Sequence, residues 1–329
     1  MKVVLVSRSK VRGRFSLEIL FRDVATELRR TEEVVEYSLT TKWGSWQDVR
    51  ALRRLKADVY HITGDCHQVA LVLPRRRTIV TVADMNHLLF DLAGIRRWVF
   101  KTLWFDLPPS RVAAVTSISQ ATKRALDEHC PGIRAAVDVI ECCVSPRYKP
   151  VPRRFHDSNP RVLFVGTAAH KNLLRLARAL EGIPCTLVTV GQIDEATRNE
   201  LGWLGVNYEN HVRLTDEELK EQYISCDLVA FPSEREGFGL PIVEGQAVGR
   251  PVVTSDLSPM REVAGGGACL VDPFDVADIR RGVLDVIRDQ DYRAGLVERG
   301  AQNVRRYSAE SIAAQYLDVY RGVTEYFDD

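Results

Sequence analysis

Short apolar runs rich in valine and isoleucine recur along the whole chain, and each is followed by a stretch with helical spacing. Runs of four to eight apolar residues bounded by turn residues are typical of strands in parallel sheets that helices cover on both faces. The pattern occurs twice, which predicts two doubly wound α/β domains, and 329 residues suffice for about two domains. The predicted strands include Val3–Ser7, Asp58–Gly64, Thr78–Asp84, Val112–Ser119, Val162–Gly166, Leu187–Gly191, Leu228–Pro232 and Pro251–Ser255.

The best candidate for a linker between the two domains is the segment 144–152, a short polar stretch with three prolines. X-Pro pairs disfavour helix, and proline has no N–H for a sheet ladder. We therefore place one domain at residues 1–150 and a second at residues 151–307. Residues 308–329 are predicted to form a closing helix, capped by Ser308, which could pack back on the first domain. Its apolar stripe consists of Ile312, Tyr316, Val319, Tyr320 and Val323.

Charge divides the chain at the same place. Residues 1–150 hold 25 Lys and Arg against 16 Asp and Glu, a net charge of +9, whereas residues 151–329 hold 20 against 28, a net charge of −8. The overall charge of +1 and the lack of a recognised nucleic-acid-binding motif in the sequence argue against nucleic-acid binding. No run approaches the roughly 20 apolar residues that span a bilayer, and the seven scattered cysteines fit reduced thiols. We expect a cytoplasmic protein.

The strongest functional signal is the segment 231–251, which reads FPSEREGFGLPIVEGQAVGRP. A predicted strand leads into a loop with two glycines, and Pro241 suits the first turn of a helix. This geometry would put free backbone N–H groups and the positive end of a helix dipole at the carboxyl edge of a parallel sheet, where a diphosphate fits. Because carboxylates repel phosphate, Glu244 would accept from a pair of ribose hydroxyls and Glu236 would address the group beyond the diphosphate. The alternative is a surface position for Glu236 and a helix-dipole role for Glu244.

This segment resembles the E-x7-E signature of retaining glycosyltransferases of family 4. The resemblance implies an α/β protein with the GT-B fold, in which two Rossmann-like domains with doubly wound parallel sheets face a cleft. It implies that Glu244 holds the ribose of a nucleotide sugar, and that Glu236 is a catalytic residue that contacts sugar hydroxyls near the reacting carbon. It also implies a diphosphate site made by the backbone amides of Gly237, Phe238, Gly239 and Leu240.

A second block, residues 162–173, follows the linker as a strand, a glycine turn and a helix. By itself, a lysine at a strand end is more typical of a solvated surface. By the resemblance, Gly166 and Lys171 belong to the donor-binding site, and Lys171 is a catalytic residue that contacts the leaving diphosphate. Thr167 and His170 belong to the same donor-binding block but stand where the family often has arginine. His170 would add positive charge only when it is protonated.

The loop after the first strand is rich in cations and resembles the glycine-containing loop that closes over phosphates and acceptor in this family. Gly13-Arg14-Phe15 is the closest match to that loop, and the resemblance implies that Arg12, Gly13 and Arg14 contact phosphate or acceptor. An exposed basic turn is the alternative. Farther along, residues 81–87 resemble a block that often reads His-Asp. Asp84 matches the aspartate, Ala83 takes the place of the histidine, and His87 is a candidate substitute.

Two further features have a structural and a functional interpretation. His61 lies in an apolar run, which is more typical of a core histidine than of a ligand. The basic stretches 50–56 and 75–77, together with the aromatic segment 95–105, are either solvated faces or a surface for an anionic bilayer or a lipid-diphosphate acceptor.

The resemblance therefore implies a retaining hexosyltransferase, and we expect it to need neither a cofactor nor a metal ion. The Gly-Thr-x-x-x-Lys-Asn block is similar to that of mannosyltransferase-like members, so GDP-mannose is the first expected donor and a UDP-sugar the second. The expected acceptor is a glycan or lipid-linked hydroxyl in polysaccharide or lipopolysaccharide assembly, with peripheral contact at the inner face of the membrane. Two alternatives stay open. One is a GT-B nucleotide-sugar epimerase or phosphorylase, and the other is a non-catalytic donor-binding or membrane-binding module, which Ala83, Thr167 and His170 favour.

Overall fold

The computed structural model describes residues 1–9, 16–41 and 44–325, and these form two compact units. Unit 1 comprises Met1–Ser145 and Ser308–Asp329, and unit 2 comprises Pro146–Tyr307. The first boundary falls inside the proline-rich segment, and the second falls directly before the predicted closing helix. No helix in these ranges is both long and apolar enough to cross a bilayer.

Unit 1 alternates strands with helices. Its strands are β1 (Lys2–Ser7), β2 (Glu33–Ser38), β3 (Val59–Ile62), β4 (Thr78–Val82), β5 (Ala114–Ser117) and β6 (Val137–Val139). Its α-helices are α1 (Ser16–Leu28), α2 (Trp46–Arg54), α3 (Gly94–Lys101), α4 (Gln120–His129) and α12 (Ala309–Glu325). Short 3-10 turns cover His67–Leu71, Arg75–Arg77 and Pro109–Arg111, and short π turns cover His87–Asp91 and Thr102–Asp106.

Unit 2 repeats the alternation. Its strands are β7 (Arg161–Val165), β8 (Thr186–Val190), β9 (Tyr208–His211), β10 (Leu228–Phe231), β11 (Val252–Ser255) and β12 (Cys269–Val271). Its α-helices are α5 (Leu173–Leu180), α6 (Glu195–Trp203), α7 (Asp216–Ser225), α8 (Leu240–Ala247), α9 (Met260–Ala264), α10 (Val276–Arg288) and α11 (Gln290–Asn303). Two 3-10 turns cover Ala169–Lys171 and Val304–Tyr307.

Each unit is built on one six-stranded sheet whose strands are all paired in parallel. The strand order is β2-β1-β3-β4-β5-β6 in unit 1 and β12-β11-β10-β7-β8-β9 in unit 2. In both sheets the order reverses beside the first strand of the unit, as doubly wound Rossmann-like sheets require. The predicted α/β class with two doubly wound parallel sheets is therefore confirmed.

The central strands of unit 1 are buried on both faces, as parallel sheets between helices require. On one face Val4, Val80 and their neighbours pack with Leu52 of α2 and Leu126 of α4. On the opposite face α12 packs against α1. The Ser308 hydroxyl accepts a hydrogen bond from the Ser311 N–H at 3.1 Å and so caps α12.

In unit 2, α8 lies very close to the sheet because Gly245 has no side chain. A Cβ at this position would be 2.9 Å from Val229 Cγ2 and 3.1 Å from Val252 Cγ2. Both valines are fully buried in neighbouring strands, so neither has room to yield. Gly245 therefore fixes the depth at which α8 sits on β10 and β11.

We expect Gly245→Ala to lower the free energy of unfolding of unit 2 by about 1 to 3 kcal/mol, because the added methyl group overpacks a rigid interface. Urea unfolding measures this change. Gly202→Ala in α6 is the matched control, since no atom other than the backbone of its own helix lies within 4 Å of its added Cβ. That control should be neutral or slightly stabilising through helix propensity. Equal effects of the two substitutions would contradict the close approach of α8.

Candidate active site

The carboxyl edge of the unit 2 sheet brings together two blocks that lie about 65 residues apart in sequence. β7 and β10 are hydrogen-bonded parallel neighbours, so the loops that follow them emerge side by side. The loop after β7 runs through Gly166 to α5, and the loop after β10 runs through Glu236 to α8. The backbone N–H of Glu234 donates to the carbonyl of His170 at 2.8 Å and ties the two loops together.

Lys171 and Glu236, the two predicted catalytic residues, form an ion pair across these loops. Lys171 Nζ lies 2.6 Å from Glu236 Oε1 and 4.7 Å from the centre of the Phe231 ring. The Ser233 hydroxyl donates to the same Glu236 oxygen at 2.5 Å. Both ionised side chains are partly accessible, so the pair presents a cation and an anion side by side at the edge of the sheet.

The glycine turn after β7 allows Lys171 to lie where it does. Gly166 has a φ of +92°, which side chains other than glycine rarely adopt, and an added Cβ would be 3.2 Å from Lys171 Cε. Asn172 follows with a φ of +73° and is buried. Its side-chain amide donates to the carbonyls of Pro232 at 2.9 Å and Pro273 at 2.7 Å, which locks this turn to the loop after β10.

The amino end of α8 lies at the same edge. Gly237, Phe238 and Gly239 are buried, and Leu240 begins the helix with Pro241 behind it. The first backbone N–H groups of a helix have no partner within the helix and carry the positive end of its dipole. The Phe238 ring packs edge-on against Tyr307 with centroids 5.5 Å apart, which holds the loop down.

Glu244 lies in the second turn of α8, where two tyrosines surround its half-buried carboxyl group. The Tyr223 hydroxyl donates to Glu244 Oε2 at 2.6 Å, and the Tyr148 ring packs edge-on against Tyr223. Burial raises the pKa of the Glu244 carboxyl group, and hydrogen bonds from Tyr223 and Tyr148 act in the opposite direction. The phenols thus hold the carboxyl group in one orientation, which suits an acceptor for a pair of hydroxyl groups.

Thr167 and His170, which are predicted to belong to the donor-binding block, lie in the loop between β7 and α5. The Thr167 hydroxyl donates to the carbonyl of Gln192 at 2.7 Å and links the loops after β7 and β8. The carbonyl of His170 accepts from Glu234 N–H at 2.8 Å, and the Ser233 hydroxyl oxygen lies 3.2 Å from it. The described contacts of these two residues therefore join loops to one another.

The sequence pattern includes Asn172 only as the last residue of the Gly-Thr-x-x-x-Lys-Asn block, and it does not single out Ser233 or the Arg175–Glu234 ion pair beside them. Ser233 is fully buried, and its own carbonyl accepts from the Ser255 hydroxyl at 2.5 Å. A serine or asparagine in a loop has no distinctive pattern in sequence. Their positions directly beside Glu234 and Lys171 are the one signal that could have pointed to them.

The predicted acceptor residues belong to unit 1. Arg12, Gly13 and Arg14 lie outside the described residues. Asp84 and His87 follow the carboxyl end of β4, where Asp84 Oδ1 accepts from the Asn86 N–H at 2.8 Å. The exposed His87 ring has Nδ1 3.1 Å from Asp91 Oδ2 and packs edge-on against Phe100.

Within the described ranges no group of three or more His, Cys, Asp or Glu side chains is arranged to hold a metal ion. The triplet Asp289-Gln290-Asp291 has the spacing of a metal-binding aspartate pair, but it begins α11. Asp289 Oδ1 accepts from the Tyr292 N–H at 2.8 Å and caps that helix.

Comparison with known proteins relates the sequence to sugar-transferring enzymes and the fold to a protein solved in complex with UDP and glucose. Residues 149–303 match the sequence profile of the family described as "Glycosyl transferases group 1". O-antigen chain mannosyltransferase B of Escherichia coli is 33% identical over 129 residues, which are 39% of this chain and 32% of that protein. Phosphatidyl-myo-inositol mannosyltransferase of Mycobacterium leprae is 29% identical over 231 residues, which are 67% of this chain and 61% of that protein. The chain thus spans about a third to three fifths of these relatives.

Among solved structures, HepE of Anabaena in complex with UDP and glucose superposes with a TM-score of 0.76. The match covers 98% of this chain and 100% of HepE at 18% sequence identity. At this identity the likeness concerns the fold, and it confirms the predicted GT-B fold of two Rossmann-like domains.

Proposed function

We propose that this chain, in which residues 149–303 match the profile of the group 1 glycosyl transferase family, moves a sugar from a nucleotide diphosphate sugar to an acceptor hydroxyl. The observation that carries the proposal is the convergence of Lys171, Glu236 and the amino end of α8 at one sheet edge, with Glu244 oriented in the second turn of the helix. Two sources of positive charge and two carboxylates match the two parts of such a donor, an anionic diphosphate and its hydroxyl-bearing sugars.

The charges assign a role to each group. The diphosphate binds the N–H groups at the start of α8 and the Lys171 ammonium, where it competes with Glu236 for the cation. The two carboxylates repel phosphate and bind hydroxyl groups, Glu244 those of the ribose and Glu236 those of the transferred sugar. When the bond to the sugar breaks, negative charge grows on the diphosphate, and Lys171 and the helix amides stabilise it.

We further propose that transfer occurs on the front face, with retention at the anomeric carbon. A departing diphosphate oxygen takes the proton of the acceptor hydroxyl, so the acceptor enters from the side on which the diphosphate leaves. Lys171 and the helix dipole supply positive charge at the leaving group, which supports a reaction without a metal ion.

The donor and the setting are proposed from the relatives. Two relatives are named mannosyltransferases, which supports GDP-mannose as the first donor, while the UDP in HepE supports a UDP-sugar as the second. The name of one relative, O-antigen chain mannosyltransferase B, supports a role in polysaccharide or lipopolysaccharide assembly, with a glycan or lipid-linked acceptor. Peripheral contact of the basic residues 1–150 with an anionic membrane would bring the enzyme to such an acceptor.

A second candidate is a module that binds the donor without turnover. The engagement of Thr167 with Gln192 and the alanine at position 83 favour it, because both lie where the family supplies catalytic side chains. The two candidates differ in one product. A transferase should slowly release nucleoside diphosphate by hydrolysis even without an acceptor, whereas the module should not.

We expect one nucleotide family to raise the melting temperature of the wild type and to lose this effect in Glu244→Ala. A ligand at about a hundredfold its dissociation constant adds roughly 2.7 kcal/mol of stability, a shift of several degrees. The measurement is a thermal-shift screen with UDP, GDP, ADP and their sugars, in which only the ligand-dependent shift is compared.

Glu200→Ala on the surface of α6 is the matched control, since Glu200 pairs with Arg178 far along the helix from the loops after β7 and β10. It should keep the full nucleotide shift. An unchanged shift in Glu244→Ala would remove Glu244 from the ribose site. A well-folded wild type that no nucleotide stabilises would contradict the proposed function.

A further inference from the structure

The segment around α3 in unit 1 concentrates exposed apolar side chains. Of eleven large apolar side chains that are exposed among the described residues, six lie between Phe90 and Leu107. Ile95 is 71% exposed, Trp98 62%, Val99 42% and Leu103 37%. Single exposed apolar residues are ordinary, but a contiguous group marks an interaction surface.

α3 has two opposite apolar faces, and only one of them packs on unit 1. Phe100 and Trp104 stack on each other with ring centroids 4.8 Å apart, and Trp104 is buried in the core of the unit. Ile95, Val99 and Leu103 follow the spacing i, i+4, i+8 and form the other face, with Trp98 beside them. This second face, hereafter the α3 outer face, is directed away from the core.

Cations accompany the α3 outer face. Arg96 and Arg97 are exposed, and neither forms an ion pair with any residue that the structure describes. Lys101, by contrast, is paired with Asp106 at 2.6 Å. Residues 1–145 hold 23 Lys and Arg against 16 Asp and Glu, and residues 308–329 hold 1 against 5, so unit 1 as a whole has a net charge of +3. Its overall charge therefore has the sign that an anionic surface attracts.

We propose that the α3 outer face binds the interfacial region of an anionic phospholipid bilayer. Trp98 and the aliphatic side chains enter the boundary between headgroups and acyl chains, while Arg96 and Arg97 bind lipid phosphates. A protein partner would require a complementary anionic apolar surface, whereas a bilayer offers both properties to any helix with this composition.

The position of α3 links this surface to the predicted acceptor residues. The exposed His87 ring, which follows β4, packs edge-on against Phe100 of α3 at 5.2 Å. A bilayer on the α3 outer face would therefore lie near the carboxyl end of β4, where a lipid-linked hydroxyl could reach Asp84 and His87. The delivery of a lipid-linked acceptor to Asp84 and His87 rests on the proposed function. The binding of lipid itself does not, because it needs neither nucleotide nor turnover.

One of the two basic stretches that were predicted to accompany this segment lies at the opposite edge of the sheet. Arg75–Arg77 directly precede β4, at the amino edge of the sheet, whereas His87 follows its carboxyl end. In the other stretch, residues 50–56, Arg53 of α2 donates to the carbonyl of Val72 at 2.8 Å. The proposed lipid-binding surface consists of α3 and the turn after it.

The test is cosedimentation of the full chain with vesicles, without nucleotide. One set of vesicles is phosphatidylcholine, and the other is an equal mixture of phosphatidylcholine and phosphatidylglycerol. We expect binding to the mixed vesicles, weakened by salt, and at least about tenfold weaker binding of Ile95→Ser/Trp98→Ser. Arg96→Gln/Arg97→Gln should weaken binding by about fivefold for each arginine removed.

Trp203→Ser in α6 is the matched control, because Trp203 is 80% exposed but belongs to unit 2. It should bind vesicles like the wild type, and all variants should melt like the wild type since the altered side chains are exposed. Absence of binding to the mixed vesicles, or equal loss in Trp203→Ser, would overturn the proposal. So would a concentration-dependent dimer, seen by sedimentation velocity, that Ile95→Ser/Trp98→Ser dissociates while vesicles bind neither protein. A negative result with vesicles would leave the nucleotide-dependent thermal shift unaffected. The lipid-binding proposal and the proposed function can therefore be rejected independently.

Discussion

Lys171→Met is expected to lower the rate of nucleoside diphosphate release by about 10²- to 10³-fold at saturating donor. The magnitude is that of removing one preorganised group that stabilises developing charge in an active site. The loss should appear in kcat because charge grows on the leaving diphosphate in the transition state, and the ammonium lies 2.6 Å from the residue that contacts the sugar in the proposed role. The assay is hydrolysis of the donor that stabilises the protein, which needs no knowledge of the acceptor.

Two further variants separate catalysis from folding. Lys171→Met leaves the Glu236 carboxylate with the Ser233 hydroxyl as its neighbour, which costs stability. Lys171→Met/Glu236→Gln removes that charge and should recover stability but not turnover. Arg178→Met removes a cation farther along α5, where it pairs with Glu200, and should leave turnover within about twofold of the wild type. Turnover of Lys171→Met within a few fold of the wild type would contradict the proposed role.

Eight strands could be predicted from the sequence, and all eight are interior strands of their sheets. The remaining strands, β2, β6, β9 and β12, are the four sheet edges. An interior parallel strand is covered by strands on both sides and helices on both faces, so most of its residues are buried and apolar. An edge strand has fewer buried positions. The half-exposed β9 therefore reads Tyr-Glu-Asn-His, and β6 and β12 are only three residues long.

The sequence patterns predict individual residues of the candidate site, but they do not predict the contacts between those residues. Gly166, Lys171, Glu236 and Glu244 lie in motifs that a strand, a glycine turn and a helix make recognisable. Asn172 donates to the carbonyl of Pro232, and Ser233 donates to the carboxylate of Glu236. The Asn172 contact exists because β7 and β10 are neighbours in the sheet. That pairing joins segments about 65 residues apart, so no local pattern contains it.

His61 lies in the core of unit 1, and the sequence predicts it to be a buried histidine whose ring is hydrogen-bonded. His61 is fully buried, its Nδ1 lies 2.7 Å from the Tyr320 hydroxyl, and its Nε2 lies 2.6 Å from Thr81 Oγ1. The burial and the hydrogen bonds confirm that interpretation. Tyr320 belongs to α12, which is 259 residues away in sequence, so the partner could not be predicted.

Stability should fall with acid because of this histidine, and His61→Gln should remove that fall. Burial lowers the pKa of His61 to about 3, below the roughly 6.5 of an unfolded chain. As pH falls below about 6.5, the unfolded state binds a proton that the folded state does not bind until about pH 3. His61 therefore contributes a loss of roughly 2 to 3 kcal/mol in the free energy of unfolding between pH 7.5 and 4.5. Burial also lowers the pKa of His67, which adds a loss of the same sign in both proteins.

The measurement is urea unfolding at pH 7.5 and 4.5, with amide hydrogen exchange of β3 and β4 to follow unit 1. Tyr320→Phe is the matched control, since it removes the hydrogen bond but keeps the imidazole buried. Tyr320→Phe should cost about 1 kcal/mol at both pH values and keep the acid dependence of the wild type. His61→Gln should be less stable at pH 7.5 yet lose about 2 to 3 kcal/mol less than the wild type on acidification. If the wild type and His61→Gln lose the same free energy, protonation of His61 is not what destabilises unit 1 in acid.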